Sequence, residues 1–102
     1  MGDLVSVVLP TFNRAPTLGR AIRTVLAQTH RDIELIVIDD GSTDNTPDVI
    51  HEFSSDARLR YQRQENAGAA AARNAGLSLA RGHWIAFQDS DDEWLPDKLA
   101  VQ

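Results

Sequence analysis

The sequence contains no cysteine, which excludes a disulfide framework, a thiolate zinc site and a cysteine nucleophile, and makes the cytoplasm the simplest expected compartment. No apolar run approaches the ~20 residues of a membrane span. Asp3 stands where a secretory leader would carry Lys or Arg. Neither G-x-x-x-x-G-K-[S/T] nor G-x-G-x-x-G occurs, which argues against a P-loop NTPase and a dinucleotide-dependent dehydrogenase. The three histidines, His30, His51 and His83, are scattered, so no structural zinc set exists. Basic side chains are the minority, ten against fifteen acids, and the net charge of −5 argues against nucleic acid as a partner. What is present is a chain of 102 residues, 42% hydrophobic, which is enough for one domain.

The charge is unevenly placed. Between Ala57 and Ala86 there are five arginines (58, 60, 63, 73 and 81) against the single Glu65, a local charge of +4. Between Asp89 and Asp97 there are five acids and no base, a local −5.

The apolar pattern alternates between two periods. Leu4–Leu9 reads as a buried β-branched strand stopped by Pro10. Pro16 suits the first turn of a helix, and Leu18, Ile22, Val25 and Leu26 lie on one face of it to about Thr29. Ile33–Ile38 is a second strand, apolar apart from Glu34. Thr46 followed by Pro47 reads as an N-cap and first helical position, with Val49, Ile50 and Phe53 as the buried stripe. Arg58–Arg63 reads as a strand near an edge, with Leu59 and Tyr61 on one face and arginines on the other. Ala67–Arg81 is a small-residue helix able to lie close to a sheet, with Gly82 as its C-terminal cap. His83–Phe87 is the fourth strand, and a last helix begins near Leu95. Four strand–helix repeats without a hairpin predict an α/β fold: an open, mainly parallel sheet with helices on both faces and right-handed crossovers.

In such sheets ligands sit at the carboxyl ends of the strands. Three of these ends are polar and sharply turned: Pro10–Arg14, Asp39–Asp44 and Asp89–Glu93. Three carboxylates within Asp89–Asp92 repel one another unless a cation lies among them. Mg²⁺ or Mn²⁺, which takes oxygen ligands from one or two carboxylates and from substrate phosphates, fits. A calcium loop does not, because its sixth position from Asp89 is Trp94 rather than glycine. Asp39 is open to a turn role or a functional one. Asp40 suits acceptance of a base ring N–H.

These residues together resemble the family 2 inverting glycosyltransferases of the GT-A fold. The resemblance rests on Val5–Arg14, Gln28-Thr29, Glu34–Asp44, Asn66–Gly68 with Ala72–Asn74, and Phe87–Pro96, in that order. It implies the Rossmann-like half of a GT-A fold, with residues 1–102 as its donor-binding part, truncated before the acceptor half. It further implies that Pro10, Thr11, Phe12 and Arg14 line the nucleoside pocket, with Phe12 where the family usually carries Tyr, so that ring contact survives and a phenolic hydrogen bond does not. By the same resemblance Asp40 reads the base, most often uracil, and Arg73 reaches toward base or phosphate. Asp89 lies nearer the ribose, and Asp91 and then Asp92 are the metal ligands for Mn²⁺ or Mg²⁺. The implied reaction is metal-assisted transfer of a sugar from a nucleotide diphosphate sugar, a UDP-sugar first, to an acceptor hydroxyl with inversion. The acceptor is a saccharide or lipid, and the parent protein is cytoplasmic or membrane-associated. The catalytic base is expected beyond Gln102, so the 102 residues alone are expected to be inactive and to self-associate through uncovered apolar surface. The competing readings are a noncatalytic interaction module of the same fold and a receiver-type signalling domain.

Overall fold

The computed structural model describes residues 4–28 and 31–88. Strands and helices alternate as β1 (Val5–Thr11), α1 (Ala15–Leu26), β2 (Ile33–Asp39), α2 (Thr46–His51), β3 (Leu59–Arg63), α3 (Ala69–Leu79) and β4 (Trp84–Phe87). The four strands form one parallel sheet in the order β3-β2-β1-β4. This is the order of doubly wound nucleotide-binding sheets, and it excludes the receiver-type reading, whose strands run 2-1-3. The expected final helix near Leu95 lies outside the described residues. No helix among the described residues is long and apolar enough to cross a membrane.

The order also fixes the layers. The β1→β2 and β2→β3 crossovers step one way across the sheet, and the β3→β4 crossover steps back, so right-handedness sends α3 to the opposite face. Accordingly Val5, Val7, Leu9, Leu35 and Val37 pack with Leu18, Ile22 and Val25 of α1 and Ile50 of α2. Ile36 and Ile38 pack with Ala72 of α3 on the other face.

Several boundaries differ from the sequence expectation for local reasons. β1 runs through Pro10 to Thr11. Its even-numbered residues bond toward β4, since Leu4 O accepts from His83 N and Val8 O accepts from Gln88 N. The N–H that Pro10 lacks would point to that side, where β1–β4 pairing ends at Val8 and Phe87, so proline interrupts nothing. α1 stops at Leu26 rather than Thr29: Gln28 turns its buried side chain back to donate to Thr24 O at 3.0 Å. The cap of α2 is not Thr46, which is already helical. Asp44 Oδ1 accepts from both Thr46 N (3.1 Å) and Thr46 Oγ1 (2.5 Å), with Asn45 at the cap position. On β3, Arg63 shares the face of Leu59 and Tyr61, as its even spacing from them requires, and of the β3 arginines only Arg60 lies opposite.

α3 starts at Ala69 and ends at Leu79, with an extended Ala80 as its cap. Gly82 is therefore not a helix cap. A Cβ there would lie 2.6 Å from Leu4 O and 2.8 Å from Ser6 N, so glycine is required by close approach of two backbones. Gly76 has a similar cause. A Cβ at 76 would meet Val8 Cγ1 at 2.3 Å, and Val8 is rigid about its first side-chain torsion. Gly76→Ala is expected to destabilise the fold, because overpacking by about 1–3 kcal/mol exceeds the ~1 kcal/mol gained in helix propensity. Adding Val8→Ala should cost less than the two single losses together. Urea titration of the three variants measures this, and a Gly76→Ala chain as stable as the parent contradicts the close approach.

A buried carboxylate fastens the α3–β4 connection at the amino end of the sheet. Glu34 Oε2 accepts from Ser6 Oγ and Arg81 N, both at 2.6 Å, and Oε1 accepts from Arg60 Nη1 at 3.1 Å. Ser6 Oγ in turn accepts from Gly82 N at 2.8 Å.

Candidate functional site

At the carboxyl end of the sheet three loops are bonded into one unit. Thr11 O accepts from Asp40 N at 2.9 Å, which zips the ends of β1 and β2 one residue past their ladder. The β1–α1 loop is tied to the β2–α2 loop by Asn13: its N–H donates to Ser42 Oγ (2.8 Å), and its Oδ1 accepts from Thr43 N (2.8 Å) and Asp44 N (3.3 Å). Asp44 then reaches both helices, accepting Ala15 N at the start of α1 through Oδ2 (3.1 Å) and capping α2 through Oδ1. The Thr46 hydroxyl first, and then the backbone N–H groups of Ala15 and Thr46, hold the Asp44 carboxyl below its ordinary range against a smaller opposing effect of burial.

Asp40 ties the second loop to the third. Its Oδ1 accepts from Gln64 Nε2 (2.8 Å) and Ala67 N (2.9 Å), and its Oδ2 from Gly68 N (3.0 Å) and Asn66 Nδ2 (3.3 Å). Burial alone would raise its pKa, but the bonds from Gln64, Ala67 and Gly68 outweigh burial and hold it below 3.8. The start of α3 lies immediately beyond, where a helix N-terminus favours negative charge. Gly41, at φ +83°, would bring a Cβ within 2.8 Å of Asn66 N, so only glycine lets these two loops touch.

Asp39 is fully buried and accepts from Ser42 N (2.9 Å), Tyr61 Oη (2.7 Å) and Arg63 Nη1 (3.1 Å). Of the two roles open to it, the structure shows the turn. Desolvation and the Asp39 carboxylate push the Tyr61 hydroxyl up to about 12, so it remains a neutral donor to Asp39.

A cleft of about 270 Å³ opens against this unit, lined by Pro10, Thr11, Phe12, Asp40, Asn66, Gly68, Ala69 and Ala72. Phe12 is 45% exposed. The Thr11 hydroxyl is buried without a hydrogen-bond partner. Four of the expected residues, Pro10, Thr11, Phe12 and Asp40, are thus brought together. Arg14 heads α1 and does not line the cleft. Arg73 is exposed on α3, one position past Ala72. Asp89, Asp91 and Asp92 lie outside the described residues. Asn66, Gly68 and Ala69 line the cleft although the sequence reading assigns them no role; the glycine after an Asn-Ala pair, just before a helix, is the signal that marks them.

Most of the local positive charge between Ala57 and Ala86 is engaged within the scaffold. Arg58 is paired with Asp56 at 2.8 Å, Arg60 and Arg81 with Glu34, and Arg63 with Asp39. The four are thus paired with three carboxylates of the scaffold, Arg60 and Arg81 sharing Glu34. Arg73 alone of the five has no such pairing among the described residues.

A parallel 3-2-1-4 sheet with a carboxylate and an aromatic ring at its carboxyl end defines a doubly wound α/β protein, and the solved structures it resembles make it a GT-A glycosyltransferase fold. Staphylococcus aureus TarS, solved with UDP-GlcNAc, superposes with a TM-score of 0.88 at 28% identity over 95% of this chain and 29% of that one. The mannosyltransferase PcManGT of Pyrobaculum calidifontis, solved with GDP-Man and Mn²⁺, gives 0.87 at 30% identity over 94% and 30%. The model of glycosyl transferase family 2 matches residues 6–102, and the chain belongs to that family. Among its relatives is the Escherichia coli UDP-Glc:α-D-GlcNAc-diphosphoundecaprenol β-1,3-glucosyltransferase WfgD, 47% identical over 97% of this chain. Another is the putative teichuronic acid biosynthesis glycosyltransferase TuaG of Bacillus subtilis, 43% identical over 97%. The chain spans 39% and 40% of the length of these two.

Proposed function

We propose that this chain binds the nucleotide of a nucleotide diphosphate sugar, UDP-linked first, for transfer of the sugar to an acceptor hydroxyl with inversion. The observation that carries the reading is the Asp40 carboxylate in the wall of a cleft that also presents the Phe12 ring. A base with a ring N–H between carbonyl-bearing positions, as in uracil, donates to Asp40 by taking the place of the longest of its four donors, Asn66 at 3.3 Å. Adenine and neutral cytosine present a bare ring nitrogen at that edge and meet repulsion. The Phe12 ring covers the base face. Arg73, which no carboxylate among the described residues neutralises, supplies positive charge toward the phosphates.

Among the described residues no group of His, Asp or Glu could hold a metal ion. The oxygen-donor chemistry that fits Mn²⁺ or Mg²⁺ is that of Asp91 and Asp92, with Asp89 toward the ribose. Such an ion, when bound, offsets the charge of the departing diphosphate. Gln88, the residue before Asp89, sits beside Val8 at the carboxyl end of β4, which supports this assignment. The relatives are more than twice as long as this chain, which supports reading the 102 residues as a donor-binding part that does not turn over by itself, the acceptor base coming from elsewhere in the protein.

Calorimetry and thermal melts with UDP, GDP and their sugars, with and without Mn²⁺, test the proposal. One diphosphate is expected to raise the melting temperature, and more so with Mn²⁺. A ligand at 100 times its Kd stabilises by about 2.7 kcal/mol. Melts unchanged by every nucleotide would refute donor binding, and nucleotide stabilisation indifferent to Mn²⁺ would refute the metal assignment.

A further inference from the structure

We infer that Asn13 is a positioning residue for the nucleoside: by clasping the β2–α2 loop, its side chain sets the Phe12 ring at the mouth of the cleft. The inference rests on the donor-binding reading above and goes beyond it, because Asn13 does not line the cleft.

Phe12 is nearly half exposed, so packing cannot fix its ring, and its direction is set by the backbone on either side. That backbone is anchored at Thr11, whose carbonyl accepts from Asp40 N, and at Ala15, whose N–H donates to Asp44. Between them the anchor is Asn13. It adopts φ +53°, in the left-handed region that asparagine tolerates better than most residues. In that conformation its Oδ1 gathers Thr43 N, Asp44 N and, at 3.4 Å, Thr43 Oγ1, while its own N–H reaches Ser42 Oγ. The side chain is exposed, so burial does not account for its placement. What the position uses is an oxygen acceptor on a residue that accepts positive φ. Aspartate supplies both, whereas glycine supplies only the backbone freedom.

The test is a double-variant cycle read by calorimetry with whichever of UDP and GDP binds the parent chain, in Mn²⁺. Asn13→Gly is expected to weaken binding about fivefold, the equivalent of one lost hydrogen bond. Asn13→Asp should stay within about twofold of the parent. In a Phe12→Ala background Asn13→Gly should cause no further loss, because the ring it positions is gone. Unchanged affinity in Asn13→Gly, or a full fivefold loss on top of Phe12→Ala, would overturn the inference and leave donor binding standing. Failure of the parent chain to bind either nucleotide would overturn both. Should Asn13→Gly not fold, Asn13→Ala, which likewise removes the Oδ1 acceptor of Thr43 N and Asp44 N, is read in the same cycle with the same outcomes.

Discussion

Asp40→Ala is expected to lower nucleoside affinity more than tenfold in the presence of EDTA as well as Mn²⁺, and to loosen residues 64–68. A hydrogen bond to a charged group is worth about 1.5–3 kcal/mol, which alone accounts for the affinity loss. The loop effect is separate. Four donors converge on this one carboxylate, two of them the backbone N–H groups of Ala67 and Gly68 that precede α3. Removing the carboxylate leaves these N–H groups to water at the exposed loop and uncouples the third loop from the second. Asp40→Asn keeps the volume but turns one acceptor into a donor against an N–H, so it should resemble Asp40→Ala more than the parent. Asp91→Ala, in contrast, should leave binding in EDTA unchanged and remove only the gain from Mn²⁺. Titration calorimetry with uridine and the diphosphates, with amide exchange at Ala67 and Gly68, reads both effects. Equal behaviour of the Asp40 and Asp91 variants would contradict the division of roles.

Glu34→Ala is expected to cost about 2–3 kcal/mol of stability, the scale for leaving buried donors, here the Ser6 hydroxyl and the Arg81 N–H, without their acceptor. Against roughly 5–15 kcal/mol for a whole domain, that is a large share. The carboxylate is 5% exposed and holds Ser6, Arg60 and the Arg81 N–H together. Burial would raise its pKa, but the bonds from Ser6, Arg81 and Arg60 and the Arg60 charge outweigh burial and hold it below its ordinary 4.5. A depressed folded-state pKa adds stability that is present above the unfolded value and lost as pH falls through the folded one. The parent should therefore lose stability as pH falls below about 4.5. Asp40, Asp44 and Asp56, each held below 3.8, add to the loss at still lower pH. Glu34→Gln should be less stable than the parent at pH 7, and the gap should narrow toward pH 3. Urea midpoints across that range measure it, and a gap independent of pH would mean that the Glu34 charge contributes nothing.

Much of this was legible in the sequence because the signals are local. The alternation of Leu4–Leu9 and Ile33–Ile38 with the stripe Leu18, Ile22 and Val25 gives strands and helices, and the absence of hairpins gives a parallel sheet. The polar strand ends at Pro10–Phe12 and Asp40 do line one cleft. Asp44 was not legible as a shared cap, since the starts of its two helices, Ala15 and Thr46, lie 31 residues apart in the chain and meet only at the carboxyl end of the folded sheet. Gly82 looked like a helix cap because a cap and a close backbone approach leave the same residue in the sequence. The two assigned arginines, Arg14 and Arg73, do not line the cleft, because a motif names a residue type but not the direction of an exposed side chain.

The sequence by itself determined the order of elements, the faces they bury and the polar chemistry delivered to the strand ends, all consequences of periodicity within a few residues. Only the tertiary structure decided which charges remain available. Strand order brings Glu34 to Arg81, 47 residues away, and Ser6 to Gly82, 76 residues away, so three arginines of the positive stretch, Arg60, Arg63 and Arg81, are bound to carboxylates distant in the chain. The same order lays three loops side by side, so that Asp40 holds the third loop while it faces the cleft and Asn13 holds the first to the second. Residues so far apart in the chain meet only after the crossovers have chosen their sides.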